Sequence, residues 1–400
     1  MNILCICSYY KGMEYLIRQA RMGNRVFLVT SEKRKHEAWP SQALAETYYL
    51  PEEDNSVANL EILKKGIGWL LQTERVDMIT ALDDFDVEKA ACLRSFYQIP
   101  GMSVSEAQLF RDKLAMRLAA KAAGLPVPRF HSLFNDQEIH RFIQEVPGPW
   151  VIKPRSQASA SGIRKVHSYT EIAAFLQEKG EERVDYLIEE FLPGRVFHVD
   201  SLCHHGQIVF ENVCAYLETP LRVAHEGGIF QTVTIPEDAP ERNSTLQVNR
   251  NLLKIFCLAN GASHSEFIQA DRDGQIYFLE TSCRVGGAHI AELVEAATGI
   301  NLWREWAAID HAFYHKVPYL LPDRVHFHAG LTISLARMKE PDMGAFQAEE
   351  LFWTLKKEYH VGLITRSIHA KDIPDRMRRY ASIIKDNYHA SAPAKDKPTD

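Results

Sequence analysis

The 400-residue sequence predicts a chain of two or three packed lobes that opens with a parallel, doubly wound α/β sheet and continues into mixed α+β structure. Three observations predict this. The first hundred residues alternate compact apolar runs with amphipathic ones. A strong amphipathic stretch, RDKLAMRLAAKAA, is stopped by Gly124 and then Pro126 and Pro128. Farther on, strand-like segments are joined by short turn sequences such as DRDG.

Taken in order, 2–8 and 25–30 (RVFLVT) read as buried strands, with an amphipathic helix over 13–22 between them. A helix over 59–71, a strand over 76–82 and a helix over 87–97 complete the alternation. GxGxxG is absent after the first strand, so nothing supports dinucleotide binding. Asp83 and Asp84 end a strand where open sheets place ligands, and equally suit a helix cap. After the helix at 111–123 come a strand near Phe130, a helix from Asp136, and a strand beginning at Trp150 (WVIKPR). A small-residue loop at 156–162, an extended 162–167, a helix near 171–179 and the strand YLIEEFLPG follow. Strands and helices alternate to Tyr319, with further strands at 329–335 and 362–368. The tail ASAPAKDKPTD from Ala390 has the composition of a disordered segment.

Composition narrows the class. A hydrophobic content of 46% with 24% charged residues fits a soluble globular protein. The formal charge of −6 argues against a general nucleic-acid surface and leaves room for a local basic pocket. Seven cysteines without CxxC or zinc-type spacing read as buried free thiols in a reducing cytoplasm. The opening MNILCICSYYKG has no basic region before its apolar run, and no apolar run reaches membrane-spanning length, so no membrane association is expected.

Several residues are candidates for chemistry. Lys153 ends an apolar strand just before the small-residue loop, where it can neutralise phosphate charge or simply face solvent. Glu189, Glu190, Phe191 and Leu192 form a strand edge suited to an adenine, or an ordinary edge strand. Glu266 and Glu280 belong to HSEFIQA and IYFLETS, on either side of the DRDG turn. A hairpin could put both carboxylates on one face, where they would hold a cation, or leave them facing solvent. Arg284 follows in ETSCRVGG, placed to stabilise developing negative charge, while Gly286 and Gly287 permit close backbone approach by a substrate. His225 in RVAHEGGIF and His289 after VGGA are each either a substrate-side group or a loop or core histidine. His204 and His205 sit at an apparent hairpin turn, and His326 and His328 could share a metal only by sharing a strand face.

In this order, RDKLAMRLAAKAAGLPVP, WVIKPRSQASASGI, YLIEEFLPGRVFHVD and HSEFIQADRDGQIYFLETSCRVGG resemble the ATP-grasp superfamily over residues 1–335, and carboxylate–amine (amino-acid) ligases within it. The resemblance implies an ATP-grasp fold: a Rossmann-like domain (1–108), a linker helix and ATP lid (109–194), and an antiparallel-sheet catalytic region (195–389), before the tail (390–400). It implies that Lys113 and Lys153 contact ATP phosphates, that Ser159, Ser161 and Gly162 belong to the mobile lid, and that Glu189 to Leu192 frame the adenine. Glu266 and Glu280 match the family's two magnesium ligands, with Mn2+ an alternative ion, and Arg284 its catalytic-site arginine. His225, Arg284, Gly286 and Gly287 fall on the expected substrate side.

In similar enzymes a carboxylate is phosphorylated by ATP and the acylphosphate is attacked by an amine. Small-molecule acid and amine substrates, a cytoplasmic location and the option of a homodimer accompany that reading. Three positions depart from the family. Ser282 replaces a frequent asparagine metal ligand, and Val196 a ribose-contacting glutamate for which His198 or Asp200 could substitute. Ala288 stands where biotin-dependent carboxylases carry a bicarbonate-activating glutamate. The alternatives are an ATP-dependent carboxylase or purine-type ligase, and a nucleotide-binding regulatory protein with a degenerate site.

Overall fold

The computed structural model describes residues 1–51, 56–158 and 161–391. The chain begins with β1 (Asn2–Cys7), α1 (Met13–Arg21), β2 (Arg25–Ser31), β3 (Glu46–Leu50), α2 (Ser56–Leu70), β4 (Met78–Ala81), α3 (Val87–Tyr97) and α4 (Val104–Gln108). The four strands form a parallel sheet of order β3-β2-β1-β4. Alternation along β1 sorts its side chains to two cores. Leu4 and Ile6 pack with Leu63, Ile67 and Leu93, whereas Ile3, Cys5 and Cys7 pack with Tyr15 and Leu16 and with Trp306 and Ile309 from far along the chain. The sheet is therefore covered on one face by its own helices and on the other partly by the C-terminal region. β3 was not expected: its half-exposed ETYYL lacks the apolar run that marks β1 and β2.

α5 (Lys113–Ala122) follows, then β5 (Phe130–Ser132), α6 (Asp136–Glu145), β6 (Trp150–Pro154), β7 (Arg164–Val166), α7 (Tyr169–Lys179) and β8 (Tyr186–Glu190). The helix begins at Lys113 rather than Arg111 because Asp112 is its N-cap, accepting from Leu114 N at 2.9 Å. The four strands form an antiparallel sheet of order β5-β8-β6-β7, packed on α6 and α7 through Ile139, Phe142, Ile152, Ile172, Phe175 and Ile188.

The remainder runs β9 (Gly194–His204), β10 (Gln207–Tyr216), α8 (Pro220–Glu226), β11 (Phe230–Thr234), α9 (Pro240–Ile255), β12 (Gly261–Ala270) and β13 (Ile276–Ser282). It closes with α10 (Ile290–Thr298), α11 (Leu302–His315), β14 (His328–Ala336), β15 (Leu351–Thr354), β16 (His360–Ser367), α12 (Asp372–Asn387) and β17 (His389–Ala390). These nine strands make an antiparallel sheet with the path β13-β12-β9-β10-β11-β14-β16-β15, and β17 pairs with β14. Ala390, assigned to the tail by composition, pairs with Leu335, because backbone hydrogen bonding at a sheet edge does not depend on side-chain character. Residues 392–400 of the expected tail lie outside the described residues. RVAHEGGIF, read as a connection between strands, carries α8 behind the N-cap Thr219, whose side chain accepts from Arg222 N. All seven cysteines are free; five are buried, but Cys92 is half-buried and Cys257 exposed. No helix among the described residues is long and apolar enough to cross a membrane.

Candidate functional site

The site grows from strand register. On β9, β12 and β13, His198, Glu266 and Glu280 stand directly opposite one another, and Asp200, His264 and Ser282 form the next row. Residues two apart on a strand share a face, so these six side chains occupy one side of the sheet. Glu266, Glu280, Ser282 and His264 line a cavity of about 470 Å³ that also receives Asp84, Lys113, Arg284, Phe191 and Leu192. The hairpin thus brings the two predicted carboxylates onto one face.

The cations around them are specific. Lys113 Nζ lies 2.9 Å from Glu280 Oε2 and donates to Gln157 O at 2.6 Å, joining the metal-ligand candidate to the small-residue loop. Burial alone would raise the Glu280 carboxyl, but Lys113 and then Lys153 hold it below the usual carboxylate range. Glu266 accepts from the Tyr216 hydroxyl at 2.7 Å. Two carboxylates and a hydroxyl in adjacent rows are hard oxygen donors, the set that suits magnesium. The residues present fit the ion.

Lys153 is buried on β6, with Nζ 2.7 Å from Glu189 Oε2. Burial lowers the Lys153 ammonium to about 8, the attraction of Glu189 only partly opposing it. Glu189 also meets Arg117, whose Nε is 2.7 Å from Oε1 without the alignment of a hydrogen bond. The Glu189 carboxylate of the expected adenine edge therefore sits between two cations. Glu190 is engaged as well, accepting from Arg129 N at 2.9 Å and lying 3.0 Å from Arg272 Nη1. An adenine at this edge would meet backbone and the apolar Phe191 and Leu192 rather than either carboxylate. Ser161 is buried at the cavity wall, and Gly162 takes a left-handed φ of 70° against Pro154. Ser159 lies outside the described residues.

Arg284 reaches the N-terminal sheet, its Nε 2.7 Å from Asp84 Oδ2. Burial would raise the Asp84 carboxyl; Arg284 and Arg111 outweigh it and hold the group well below its ordinary range. Asp83 caps the following turn by accepting from Phe85 N and pairs with Lys11, as the cap reading expects, while Asp84 lines the cavity.

Gly286 differs from expectation. A Cβ there would stand 2.9 Å from Asp200 Oδ1 and His264 Nδ1, so its backbone is approached by the protein's own side chains, not by open space for a substrate. Gly287 does border open cavity, where a Cβ would meet no atom within 4 Å. His225 lies on the exposed face of α8, outside the cavity lining, and is not brought to the other candidates. His289 caps α10 at φ 60°, 3.4 Å from Glu292 and against the Trp353 ring. His326 faces Glu237 at 3.6 Å.

The sequence reading missed the cluster His198, Asp200 and His264, the one group with metal-ligand spacing found among the described residues. Asp200 Oδ2 accepts from His198 Nδ1 at 2.8 Å, and its Oδ1 lies 2.9 Å from His264 Nδ1. Burial pulls His264 down, but Asp200 raises it to about 9. His198 and Asp200 are fully buried in this cluster, which removes them as ribose ligands beside the apolar Val196. HVD on one strand was a visible signal; its partner His264, 64 positions away, was not.

Residues 110–288 match the ATP-grasp domain family, and the chain has the ATP-grasp fold. An L-arginine-specific L-amino acid ligase of Bacillus subtilis is 24% identical over 256 residues, covering 62% of this chain. The chain spans 61% of that relative's length. Among solved structures, the L-amino acid ligase of Bacillus licheniformis superposes with a TM-score of 0.71 at 16% identity, over 98% of this chain and 99% of that one. The N5-carboxyaminoimidazole ribonucleotide synthetase of Thermus thermophilus gives 0.71 at 15% identity, over 98% and 100%.

Proposed function

We propose that this protein is an ATP- and magnesium-dependent carboxylate–amine ligase that forms ADP, with an amino acid among its substrates. The observation that carries this reading is the registered pair Glu266–Glu280 facing one cavity with Lys113 and Arg284. Similarity to an L-arginine-specific L-amino acid ligase over 62% of the chain supports it. Glu266, Glu280 and Ser282 would hold Mg2+ (or Mn2+), which would offset phosphate charge. Lys113 and Lys153 would bind ATP phosphates, Ser159, Ser161 and Gly162 would cover them, and Phe191 and Leu192 would flank the adenine. A substrate carboxylate oxygen attacks the γ-phosphorus, the bond to the β-phosphate oxygen breaks, and ADP leaves. The amine nitrogen then attacks the acyl carbon, phosphate departs with the acid's oxygen, and the nitrogen loses a proton. Arg284 would stabilise the negative charge that develops in these steps.

The test is ADP release from ATP over pooled carboxylic acids and amines, with product masses recorded and oxygen-18 in the acid's carboxylate. Label in the released phosphate is expected. Nucleotide binding with no acid-dependent ADP release would leave a regulatory protein instead. Ala288, at the cavity wall in place of a bicarbonate-activating glutamate, disfavours the carboxylase reading.

A further inference from the structure

Arg111 is a buried guanidinium at the cavity wall, 6% exposed. It stacks over the Phe85 ring, 5.0 Å from the centroid, and donates one Nη2 bond to Ser156 O. Among the described residues no carboxylate lies within ion-pair distance of it. The neighbouring cations are all matched: Arg284 by Asp84, Lys113 by Glu280, and Lys153 and Arg117 by Glu189. Asp84, already paired with Arg284, acts on Arg111 only from beyond ion-pair distance, and burying a cation without a contacting counter-charge is costly unless a partner arrives to meet it. The sequence gives the residue no special mark, since it precedes the helix that carries Lys113.

We infer that Arg111 is the anchor for a carboxylate on the amine substrate, a group distinct from the carboxylate that is activated. The anchor rests on the ligase reading and makes the acceptor an amino acid rather than a simple amine. Position favours this over a nucleotide phosphate. Arg111 stacks on Phe85, next to Asp84 at the C-terminal end of the parallel sheet, on the side of the cavity that holds Arg284. The base-flanking Phe191 and Leu192 follow β8 in the small sheet. With one Nη2 bond committed to Ser156, the remaining guanidinium donors keep the planar geometry that a carboxylate accepts.

The experiment compares wild type, Arg111→Gln and Arg111→Lys, using the twenty common amino acids and their carboxamides as acceptors, with nucleotide affinity measured separately by calorimetry on a non-hydrolysable ATP analogue. In wild type, carboxamides should show a KM about 10- to 100-fold above the parent amino acids. Arg111→Gln should raise the amino-acid KM by a similar factor, leave the carboxamide KM within about twofold, and leave analogue affinity within about twofold. Arg111→Lys should recover part of the loss. A fall in analogue affinity with acceptor KM unchanged assigns Arg111 to a phosphate and overturns the inference. Equal losses for amino acid and carboxamide reduce it to a support for the Ser156 loop and overturn it too. If wild type releases no acid-dependent ADP, the ligase reading falls and takes the anchor with it; ADP release that is insensitive to Arg111 defeats the anchor alone.

Discussion

Arg284 and Asp84 are 200 positions apart in the chain and form one ion pair, half-buried at Arg284 and buried at Asp84, with Arg284 Nε 2.7 Å from Asp84 Oδ2. The pair ties the loop after the metal-candidate hairpin to the end of β4, so the orientation of Arg284 depends on a different sheet from the one that carries it. Asp84→Asn should lower stability by about 2 to 3 kcal/mol at neutral pH by leaving a largely enclosed guanidinium without its counter-charge. The folded carboxyl is depressed, so this contribution is present above the unfolded value of about 4 and is lost as pH falls from there through the folded value. Denaturation curves of wild type and variant should therefore converge in acid. Arg284→Lys keeps the charge but loses the fork, and turnover should fall on the order of 100-fold with ATP affinity little changed.

Glu266→Gln and Glu280→Gln remove charge at nearly constant volume. Each should cut turnover by about 100-fold or more while circular dichroism stays that of wild type. Calorimetry of Mg2+ in the presence of a non-hydrolysable nucleotide should show weakened binding in both. Full metal affinity in either variant would remove that carboxylate from the ligand set.

Lys153 should confer a pH dependence on nucleotide binding. Its folded pKa, about 8, is below that of an ordinary lysine. The ammonium is therefore charged below pH 8 and lost above it, and analogue affinity should decline as pH rises from about 7 to about 9. Lys153→Arg stays protonated and should flatten the profile. An unchanged slope in that variant would place the titrating group elsewhere.

Asp310 offers a stability test away from the site. It is buried where α11 meets the N-terminal sheet and accepts from the Tyr15 hydroxyl at 2.6 Å. Burial pushes its carboxyl up to about 7. A raised folded value contributes stability below the unfolded pKa that is lost as pH rises through about 7, so wild type should lose about 2 kcal/mol between about pH 5 and 7 from this group. Asp310→Asn can still accept from Tyr15, and its denaturant midpoint should vary less over that range. Parallel pH profiles for the two proteins would refute the assignment.

The sequence by itself determined the parallel N-terminal sheet, the helix behind Lys113 and the Glu266–Glu280 hairpin. Each rests on periodicity or turn chemistry within a few residues, which is where local sequence carries information. It also supplied the four ordered motifs behind the family resemblance. Only tertiary structure decided which charged groups meet. Glu189 sits between Lys153 and Arg117, Gly286 packs on Asp200 and His264, and His225 faces solvent from a helix. A strand shows that residues alternate between faces, but not which strands it will lie between. The row His198–Glu266–Glu280 exists because β12 sits between β9 and β13, and the closure of Arg284 on Asp84 because two sheets pack together. Electrostatic partners act over a few ångströms of space irrespective of their separation along the chain, and that distance is fixed by packing alone.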